Sequence, residues 1–432
     1  MSINVLMFGW ELPPYNSGGL GTACLGLTEG LAPFGVDIDF VVPRTFGPFP
    51  FSHMRIHSAV DYATLEEIER VLELSEQKQR VIARSLGYGN VLDEKLLVEE
   101  RRLRISQGVG SLPVAPDEQS AWYAYQAAAI AKNGTFDVIH CHDWMTYYCG
   151  IAAKRVAAAE GRNVPFVAHV HATEVDRCGE HGDPAILAIE KAGLEAADRV
   201  VAVSHYTKGV IHKHYGIPLD KISVVHNGIP VHKQPQAFDL HELKKKFKIV
   251  LFMGRLTMQK GPDYFIKLAK AVTDRDPKVK FIMVGSGDME KRCIEAAAAA
   301  GLTGKILFSS FLRGEHDVNK AYQLADLFVM PSVSEPFGIV ALEAMQNGTP
   351  VIASKQSGVI EVSSNISTVD FWDIDAMRDT VLHLLANPEH TQGLSHRAKQ
   401  EMKNFSWENS AKKLKQVYRE AITASTVAVN PA

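Results

Sequence analysis

The stretch PSVSEPFGIVALEAMQNGTPVIAS, residues 331–354, places two glutamates, Glu335 and Glu343, eight residues apart. Its pattern predicts a strand, then a loop that carries Glu335, then a helix that carries Glu343. Pro336 can begin the first helical turn, and Gly338 lets the backbone approach a ligand closely. The free N–H groups of such a helix N-terminus point at the ligand, and a carboxylate about two turns further on can accept hydrogen bonds from two neighbouring hydroxyls. The stretch therefore predicts a binding site at a strand-to-helix junction.

Length and composition describe a folded protein with more than one domain. With 432 residues the chain is too long for one ordinary core, and two domains of about 200 residues each are expected. The hydrophobic share is 46%, the charged share is 22%, the formal net charge is −3, and no basic block extends beyond residues 244–248. Proteins that bind nucleic acid usually carry a basic patch, so no nucleic acid partner is expected.

The N-terminal segment and the cysteines bear on the compartment. Residues 1–7 lead directly into a strand pattern rather than a signal peptide, and no apolar run approaches the roughly 18–20 residues needed to span a bilayer. The sequence thus predicts a cytoplasmic protein without a transmembrane segment, and leaves its oligomeric state open. The cysteines are odd in number and form no C-x-x-C pair, which predicts reduced thiols: Cys24, Cys141, Cys149, Cys178 and Cys293.

Both halves of the chain repeat short apolar runs that lead through glycine-bearing turns into helical patterns. The first half contains INVLMFG, DIDFVVP, FDVIHCH, PFVAHVH, RVVAVS and ISVVHNG, and the second contains KIVLFMG, KFIMVGSG, KILFSSF, LFVMPS, TPVIAS and STVDFW. Such runs predict parallel strands covered on both faces. The predicted fold class is therefore α/β, with two doubly wound, Rossmann-like parallel-sheet domains. A turn signal places the boundary between residues 1–230 and 231–405, with 231–242 as the linker.

Two loops have the composition of phosphate-binding sites. Gly18, Gly19 and Gly21 follow the first predicted strand and precede a helix, so their N–H groups can meet a phosphate. In the second half, LFMGRLTMQKGPDYF places Arg255 and Lys260 five residues apart in a loop after a strand. Two fixed cations that converge on a diphosphate neutralise the charge that develops on it when it leaves. A surface Arg/Lys pair is common, so the glutamate motif about 75 residues later carries much of this prediction.

Histidines mark the ends of two strands in the first half. The run HCHDW, residues 140–144, closes one strand and leaves Asp143 at its carboxyl end beside the cleft. His169 and His171, in VAHVHATE, repeat the arrangement on another strand. Because alternate strand positions can ligate a metal, the four histidines and Cys141 leave a zinc site as one alternative.

Together these motifs resemble the retaining glycosyltransferases with the GT-B fold, family four, in the glycogen- and starch-synthase-like branch. The matching segments run from GGLG through HDW, VHATE, SHYT, VVHNG, GR-x4-KG, GSGD and SEPFG-x3-LEAM to FSWE. A capped surface helix with two solvated glutamates would account for the E-x7-E spacing, but not for the other segments. Glycogen synthases have K-x-G-G-L at the first glycine loop, whereas this chain has Asn16 and Ser17 before Gly18, which favours the family-four relatives.

The resemblance implies a nucleotide-sugar donor bound mainly by the second domain, an acceptor bound mainly by the first, and a final helix, residues 406–425, that crosses back onto the first domain. Arg255 and Lys260 would hold the diphosphate and Glu343 the ribose, while Glu335 and the 337–340 amides would meet the sugar hydroxyls. The implied catalytic residues, of which the first two line the reacting face, are His171, Asp143, Glu335, Arg255 and Lys260. The implied donor-binding residues are Gly18, Gly19, Arg255, Lys260, Leu312, Phe337, Gly338, Ile339, Val340 and Glu343.

No metal or cofactor is implied by the resemblance. In this reading His171 meets the donor sugar, and His140 and His142 are structural. Asp-x-Asp pairs, typical of metal-dependent transferases of the other fold class, occur at residues 37–39, 274–276 and 373–375, and we expect none of them at a strand end that faces the cleft.

Residues 45–118 break the regular pattern. A loop rich in Pro and Phe precedes a charged helical pattern from residue 64 to about residue 84 and the run LDEKLLVEERRLR. The segment could be a lid or an acceptor-binding excursion, or an amphipathic surface hairpin.

The expected activity is transfer of glucose from ADP-glucose or UDP-glucose to an α-glucan, since WELPP-x4-GGLGT, HCHDW and DFWD resemble the glycogen-synthase-like branch. The alternative within the family is a small-molecule or lipid-linked acceptor, as in sucrose- or trehalose-type synthesis or cell-envelope glycan synthesis. A nucleotide-sugar-binding protein without turnover is an alternative of another class. A phosphorylase is disfavoured because the chain has no lysine motif for pyridoxal phosphate.

Overall fold

The apolar runs form two all-parallel sheets in the computed structural model, which describes residues 2–15, 18–61, 116–231, 235–310, 312 and 314–429. Within these residues the first sheet has seven strands in the order β3-β2-β1-β4-β5-β6-β7, and the second has six in the order β10-β9-β8-β11-β12-β13. The strand order reverses beside β1 and beside β8, which is the doubly wound topology. The predicted fold class, α/β with two Rossmann-like sheets, is confirmed.

Every apolar run named above forms a strand, and within the described ranges one further strand was missed. The strands are β1 (Ile3–Phe8), β2 (Val36–Val42), β3 (Arg55–Ser58), β4 (Val138–His142), β5 (Phe166–Val170), β6 (Arg199–Ala202), β7 (Ile222–Val224), β8 (Lys248–Met253), β9 (Val279–Val284), β10 (Ile306–Ser309), β11 (Leu327–Met330), β12 (Val351–Ser354) and β13 (Ser367–Val369). The missed strand is β3, an edge strand. Arg55 Nε donates to Asp39 Oδ1 at 2.8 Å, and His57 Nε2 lies 2.7 Å from the same oxygen. Because β3 carries polar side chains that bond to β2, hydrophobic periodicity could not reveal it.

Helices cover both faces of each sheet. They are α1 (Gly19–Leu31), α2 (Pro116–Asn133), α3 (Trp144–Ala159), α4 (Glu174–Cys178), α5 (Pro184–Ala196), α6 (His205–Tyr215), α7 (His241–Lys246), α8 (Pro262–Thr273), α9 (Glu290–Ala299), α10 (Gly314–Leu324), α11 (Ile339–Gln346), α12 (Ile374–Ala386), α13 (Pro388–Glu401) and α14 (Trp407–Val429). Several begin at local signals: Thr173 and Ser204 cap α4 and α6, and prolines start α5, α8 and α13.

Helix α14 completes the core of the first sheet. Trp407 and Tyr418 are buried in the same apolar cluster as Leu27 of α1. A Cβ at Gly26 would lie 2.1 Å from the Trp407 ring, and one at Gly30 would lie 2.5 Å from the Trp407 carbonyl oxygen. Only glycine lets the two helices approach this closely.

No helix in the described part of the chain is both long enough and apolar enough to cross a membrane. Residues 45–61 form a loop, β3 and the 3₁₀ turn Ala59–Asp61. The charged helical pattern predicted from residue 64 to about residue 84 lies outside the described residues, and so does most of the segment for which a lid or a surface hairpin was considered.

Candidate active site

Candidate residues from both halves follow the carboxyl ends of parallel strands. Asp143 and His171 follow β4 and β5 of the first sheet, Arg255 and Lys260 follow β8, and Glu335 follows β11. In open α/β sheets, ligands bind at this edge near the point at which the strand order reverses. The predicted residues are therefore gathered where the topology places a ligand.

Lys260 and Glu335 form a largely buried ion pair. Lys260 Nζ donates to Glu335 Oε1 at 2.9 Å and to Oε2 at 2.7 Å, and the Ser332 hydroxyl donates to Oε2 at 3.2 Å. The side chains of Lys260 and Glu335 are 21% and 6% exposed. Gly261 has φ 65°, and a Cβ there would lie 2.1 Å from the Pro331 carbonyl oxygen. Glycine thus lets the turn that carries Lys260 press against the loop that carries Glu335.

Arg255 is exposed at the same edge, and among the described residues its guanidinium has no ion-pair partner. Its loop is held by backbone contacts, since the Leu256 N–H donates to the Ser286 carbonyl at 2.9 Å. Gly285 has φ 138°, and a Cβ there would lie 1.9 Å from the Gly254 carbonyl oxygen. The glycine turn after β9 therefore packs directly against the Arg255 loop, which fixes the backbone while the guanidinium faces solvent.

Glu343 is bonded by a residue that sequence reasoning missed. The hydroxyl of Tyr322, a buried residue of α10, donates to Glu343 Oε2 at 3.0 Å. Burial raises the pKa of the Glu343 carboxyl, and the Tyr322 hydrogen bond opposes this effect. The Tyr322 hydroxyl thus holds one of the two carboxylate oxygens of Glu343 in place.

The start of α11 leaves its first N–H groups without a capping side chain. Gly338 has φ 103°, and a Cβ there would lie 3.0 Å from Met330 Cε, so glycine is required. The Phe337 carbonyl accepts from the Val359 N–H at 2.7 Å, which fixes the approach to the helix. Predicted donor-binding residues around this point share one apolar cluster: Leu312, Phe337, Ile339 and Val340. Ile339 also packs against the core of the first sheet, and residues 311 and 313 lie outside the described residues.

Asp143 supports the loop that carries His171. Its Oδ1 accepts from the backbone N–H of His171 at 2.6 Å and of Ala172 at 3.3 Å. Burial raises the pKa of this carboxyl to about 6, opposed by Arg177, whose guanidinium lies 3.9 Å away, and by the two backbone bonds. Asp143 also adopts φ 59°, which is unusual for a residue with a side chain. Because Asp143 is 3% exposed and its bonds point inward, we assign it as a positioning residue behind His171 rather than a group that lines the reacting face.

His171 belongs to a cluster of four imidazoles on one face of the first sheet. His140 Nε2 lies 3.2 Å from His169 Nδ1, and His142 Nδ1 lies 2.9 Å from His171 Nε2. His140 Nδ1 also bonds to the Tyr418 hydroxyl of α14. Burial lowers the pKa of all four rings, to about 3 for His140 and His171, so they are neutral at pH 7. Among the described residues, His142 Nε2, His169 Nε2 and His171 Nδ1 are buried without a hydrogen-bond partner.

The neutral histidine cluster predicts how stability depends on pH. The pKa of His140 is about 3 in the folded chain and 6.5 ordinarily, so the unfolded chain binds more protons below pH 6.5. The contribution of this ring to the free energy of unfolding is therefore complete above about pH 6.5 and is lost as pH falls toward 3. At pH 5 the loss for this one ring is about 2 kcal/mol. In urea unfolding, the free energy of unfolding should fall between pH 7.5 and pH 5 by about 2 kcal/mol less in His140→Phe than in the wild type.

The change between the two pH values is compared within each variant, because His140→Phe also removes the partner of Tyr418. His316, with a 60% exposed side chain, provides the control: His316→Gln should keep the wild-type pH dependence. Equal pH dependence in His140→Phe and the wild type would contradict the assignment of a neutral buried ring.

Gly18 and Gly19 precede and begin helix α1, which no side chain of the described residues caps. A Cβ at Gly18 would lie 2.3 Å from Glu11 Oε2, whereas no atom of the described part of the chain lies within 4 Å of one at Gly19. Glu11 Oε2 is buried and has no hydrogen-bond partner among the described residues. The glycine loop thus covers a carboxylate, and residues 16 and 17 of the loop lie outside the described residues.

Helices of the first half contact the loop that carries Glu335. The Ser334 hydroxyl donates to Asp176 Oδ1 of α4 at 2.6 Å and lies 2.9 Å from the Tyr206 hydroxyl of α6. The Pro336 carbonyl accepts from the Ser204 hydroxyl at 2.5 Å. The residues on both sides of Glu335 are therefore held by the opposite half of the chain.

Two pairs of the predicted site residues are in direct contact, Lys260 with Glu335 and Asp143 with the backbone of His171. Sequence reasoning missed the residues that bond to Glu343 or that join the Glu335 loop to the first half of the chain: Tyr322, Ser334, Asp176 and Tyr206. Tyr206 lies in the segment SHYT and Ser334 in SEPFG, so both stood inside the sequence motifs without a role being assigned to them. The others lie on helices or loops where their residue types are ordinary.

Comparisons with known proteins agree along most of the chain. The model of glycosyl transferases group 1 matches residues 233–401, and that of glycosyltransferase family 4 matches residues 71–233. An uncharacterised glycosyltransferase of Methanocaldococcus jannaschii is 30% identical over 97% of this chain and 99% of its own length. A D-inositol 3-phosphate glycosyltransferase of Salinispora tropica is 31% identical over 69% of this chain and 66% of its own length. A glycogen synthase of Mycobacterium tuberculosis is 26% identical over 97% and 95%.

Solved structures share the arrangement of the two sheets. Sucrose-phosphate synthase from Thermosynechococcus elongatus has a TM-score of 0.69 and 22% identity, over 98% of this chain and 100% of its own. The Anabaena protein HepE in complex with UDP-glucose has a TM-score of 0.67 and 17% identity, over 97% and 100%. At these identities the likeness bears on the fold alone. The relative that is 30% identical over 97% of this chain, together with the two family models, shows that this protein belongs to the glycosyltransferases of group 1 and family 4, with the GT-B fold.

Proposed function

We propose that this protein is a retaining, metal-independent glucosyltransferase that moves glucose from UDP-glucose or ADP-glucose to an α-glucan. The contact between Lys260 and Glu335 carries the proposal, because it places a cation suited to a diphosphate beside a carboxylate suited to sugar hydroxyls. The glycogen synthase that is similar over nearly the whole chain supports a glucan acceptor, and the fold shared with a UDP-glucose complex supports such a donor.

Donor binding would redistribute the charges at this edge. Lys260 is paired with Glu335 in this structure, and a diphosphate would take over Lys260 while sugar hydroxyls donate to Glu335. Arg255, which faces solvent, would turn onto the same diphosphate. The uncapped N–H groups at residues 338–340 would meet the transferred sugar, and Glu343, held by Tyr322, would accept from the ribose hydroxyls.

Retention of configuration would follow from departure and attack on the same face, with the leaving phosphate accepting the acceptor proton. The described carboxylates support this assignment. Asp143 is buried behind His171, and Glu335 is paired with Lys260, so neither is poised as a strong general base. Arg255 and Lys260 supply the positive charge that a metal supplies in other transferases.

Glu343→Gln should weaken binding of UDP or ADP by about 1–3 kcal/mol, since a charged acceptor of ribose hydroxyls is replaced by a neutral one. The effect on kcat should be smaller, because the ribose lies far from the reacting carbon. Titration calorimetry with UDP and ADP, beside initial rates at saturating donor, measures both quantities.

Tyr322→Phe is a useful partner variant, because it frees the fixed carboxylate oxygen without removing the charge, and it should weaken the same binding less. Glu295→Gln, with a 66% exposed side chain on α9, serves as the control. Unchanged nucleotide affinity in Glu343→Gln would contradict the ribose assignment.

A small-molecule acceptor is the second candidate. It is favoured by the D-inositol 3-phosphate glycosyltransferase relative and by the fold shared with sucrose-phosphate synthase. Sugar phosphates, inositol phosphate and lipid-linked acceptors therefore belong in the same assay as glycogen.

Release of nucleoside diphosphate, measured across several sugar donors with and without each acceptor, tests the proposed function. We expect release from UDP-glucose or ADP-glucose that rises with glycogen, an α-linked product by NMR, and full activity in EDTA. Release only with a small acceptor would favour the second candidate. An inverted product, or activity abolished by EDTA and restored by Mg²⁺ or Mn²⁺, would contradict the mechanism, and nucleotide-sugar binding without any transfer would indicate a binding protein.

A further inference from the structure

Helix α1 brings a thiol to the histidine cluster. Cys24, on the buried side of α1, is 0% exposed, and one ligand atom each from Cys24, His142 and His171 lie within 4.8 Å of one another. His142 ends β4, and His171 follows β5, the neighbouring strand. Three residues far apart in the chain thus converge between α1 and the first sheet.

The spacing of the two rings is close to that of two ligands on one ion. His142 Nδ1 and His171 Nε2 face each other at 2.9 Å. A tetrahedral Zn²⁺ with Zn–N distances of about 2.0–2.1 Å would hold two nitrogens roughly 3.3 Å apart, so the pair needs to open by only a few tenths of an ångström. The other nitrogen of each ring, His142 Nε2 and His171 Nδ1, is buried without a partner among the described residues. The pocket therefore contains more nitrogen ligands than the protein uses for its own hydrogen bonds.

We propose that Cys24, His142 and His171 form a binding site for a divalent transition ion of the Zn²⁺ class. A thiolate and two imidazoles are the donor set that Zn²⁺ and Co²⁺ prefer, whereas Mg²⁺ and Ca²⁺ prefer oxygen. On binding, the thiol releases its proton to solvent, and any proton on a ligating nitrogen moves to the other nitrogen of that ring. Three protein ligands leave a fourth position for water.

A second set of three histidines in the cluster is less suited to the ion. His140, His142 and His169 also place ligand atoms within 4.8 Å of one another. Both nitrogens of His140, however, already bond to Tyr418 and His169. The His171 residue, by contrast, lies in the loop that follows β5 and is partly exposed, while its ring nitrogen Nδ1 is buried without a partner among the described residues.

Occupancy of this site would inhibit transfer, an effect that rests on the proposed function. An ion bound to His171 draws its ring toward Cys24 and away from the donor sugar, and it adds positive charge beside the reacting face. Inhibition would be reversed by a chelator, which agrees with the expectation that catalysis itself needs no metal.

Cobalt spectroscopy tests the site without reference to turnover. Chain carrying Cys178→Ser, which removes the exposed thiol, is freed of metal and titrated with Co²⁺. We expect one equivalent to bind, with the visible bands of tetrahedral cobalt and a near-ultraviolet thiolate charge-transfer band, both displaced by Zn²⁺. Adding Cys24→Ser should abolish the charge-transfer band and weaken binding by about tenfold or more.

Two further variants keep the test decisive. Cys149→Ser changes another buried thiol, outside the cluster, and should leave the spectrum intact. His171→Gln changes a loop residue outside the strands, so it should lose the site without unfolding, which circular dichroism and the melting temperature check. The proposal is overturned if no saturable binding occurs, if the thiolate band survives in Cys24→Ser, or if cobalt binds without that band, which would assign the ion to His140, His142 and His169.

The activity arm is separate. Stoichiometric Zn²⁺ should inhibit the wild type several-fold and EDTA should relieve this, whereas Cys24→Ser, compared with its own metal-free rate, should not respond. Inhibition that persists in Cys24→Ser overturns the regulatory part of the proposal. A chain that binds cobalt as expected but transfers no sugar overturns the proposed function alone.

Discussion

Lys260→Ala is expected to lower turnover by about 10²–10³-fold, because a fixed cation that meets the charge developing on a leaving diphosphate contributes a few kcal/mol. The same change leaves Glu335, whose side chain is 6% exposed, without its ion-pair partner. An unpaired buried carboxylate costs about 3 kcal/mol or more, so stability should fall together with rate. Arg255→Ala should lower turnover similarly but change stability by less than about 0.5 kcal/mol, since Arg255 is exposed. Initial rates and urea unfolding measure the two effects.

The double variant Lys260→Met/Glu335→Gln separates catalysis from folding. It removes both charges of the pair, so stability should recover while activity does not. Lys291→Ala, with a 90% exposed side chain on α9, is the matched control and should resemble the wild type. Wild-type turnover in both Lys260→Ala and Arg255→Ala would overturn the assignment of this loop to the diphosphate. Recovery of activity in the double variant would mean that the single change acts through folding alone.

Glu335→Gln is expected to lower kcat by about 100-fold while the affinity for UDP and ADP stays nearly unchanged. The carboxylate would contact the transferred sugar, and its contribution would be largest in the transition state, which gives a loss in kcat rather than in binding. Glutamine keeps the shape and the bond from Ser332, but it releases Lys260 from its ion pair. Because Lys260 remains available for a diphosphate, nucleotide affinity should not fall. Calorimetry and initial rates on the same preparation make the comparison.

The contrast with Glu343→Gln is the decisive readout. If Glu335→Gln loses nucleotide affinity and Glu343→Gln keeps it, the two roles are reversed. If neither variant changes rate or affinity, both glutamates are structural, Glu335 in its loop and Glu343 on α11. Glu295→Gln controls for the loss of a carboxylate elsewhere on the second domain, and its values should match the wild type.

Most of the fold follows from local pattern. Near-continuous apolar runs with glycine turns were sufficient for every strand in the part of the chain that the structure describes except β3, because strands buried on both faces are apolar along most of their length. The edge strand β3 was missed because its pairing depends on Arg55 and His57 meeting Asp39 of the neighbouring strand. Such a contact has no period that a single segment could reveal.

In the candidate site, too, some residues could be predicted from the sequence and their partners could not. Residue type and position along the chain, together with the resemblance carried by GR-x4-KG and SEPFG-x3-LEAM, pointed to Arg255, Lys260, Glu335 and Glu343. The partner of Glu343 was not visible, because Tyr322 lies on α10, where an aromatic residue at helical spacing is ordinarily core. Asp143 was expected on the open face, and its inward hydrogen bonds could be found only from the position of the His171 loop.

The residues of this chain alone were enough to identify two doubly wound domains and the chemical groups at their carboxyl edges, because strands, turns and helix starts depend on residues close together in sequence. Only the packed chain decided that Lys260 neutralises Glu335, 75 residues away, that Ser334 bonds to Asp176 of the other half, and that Cys24 meets two of four stacked histidines. These contacts depend on strand register, such as His142 beside His169, and on how α1 and α14 lie over the sheet. Residues distant along the chain meet only after both sheets and their helices are in place, so no local pattern encodes such contacts.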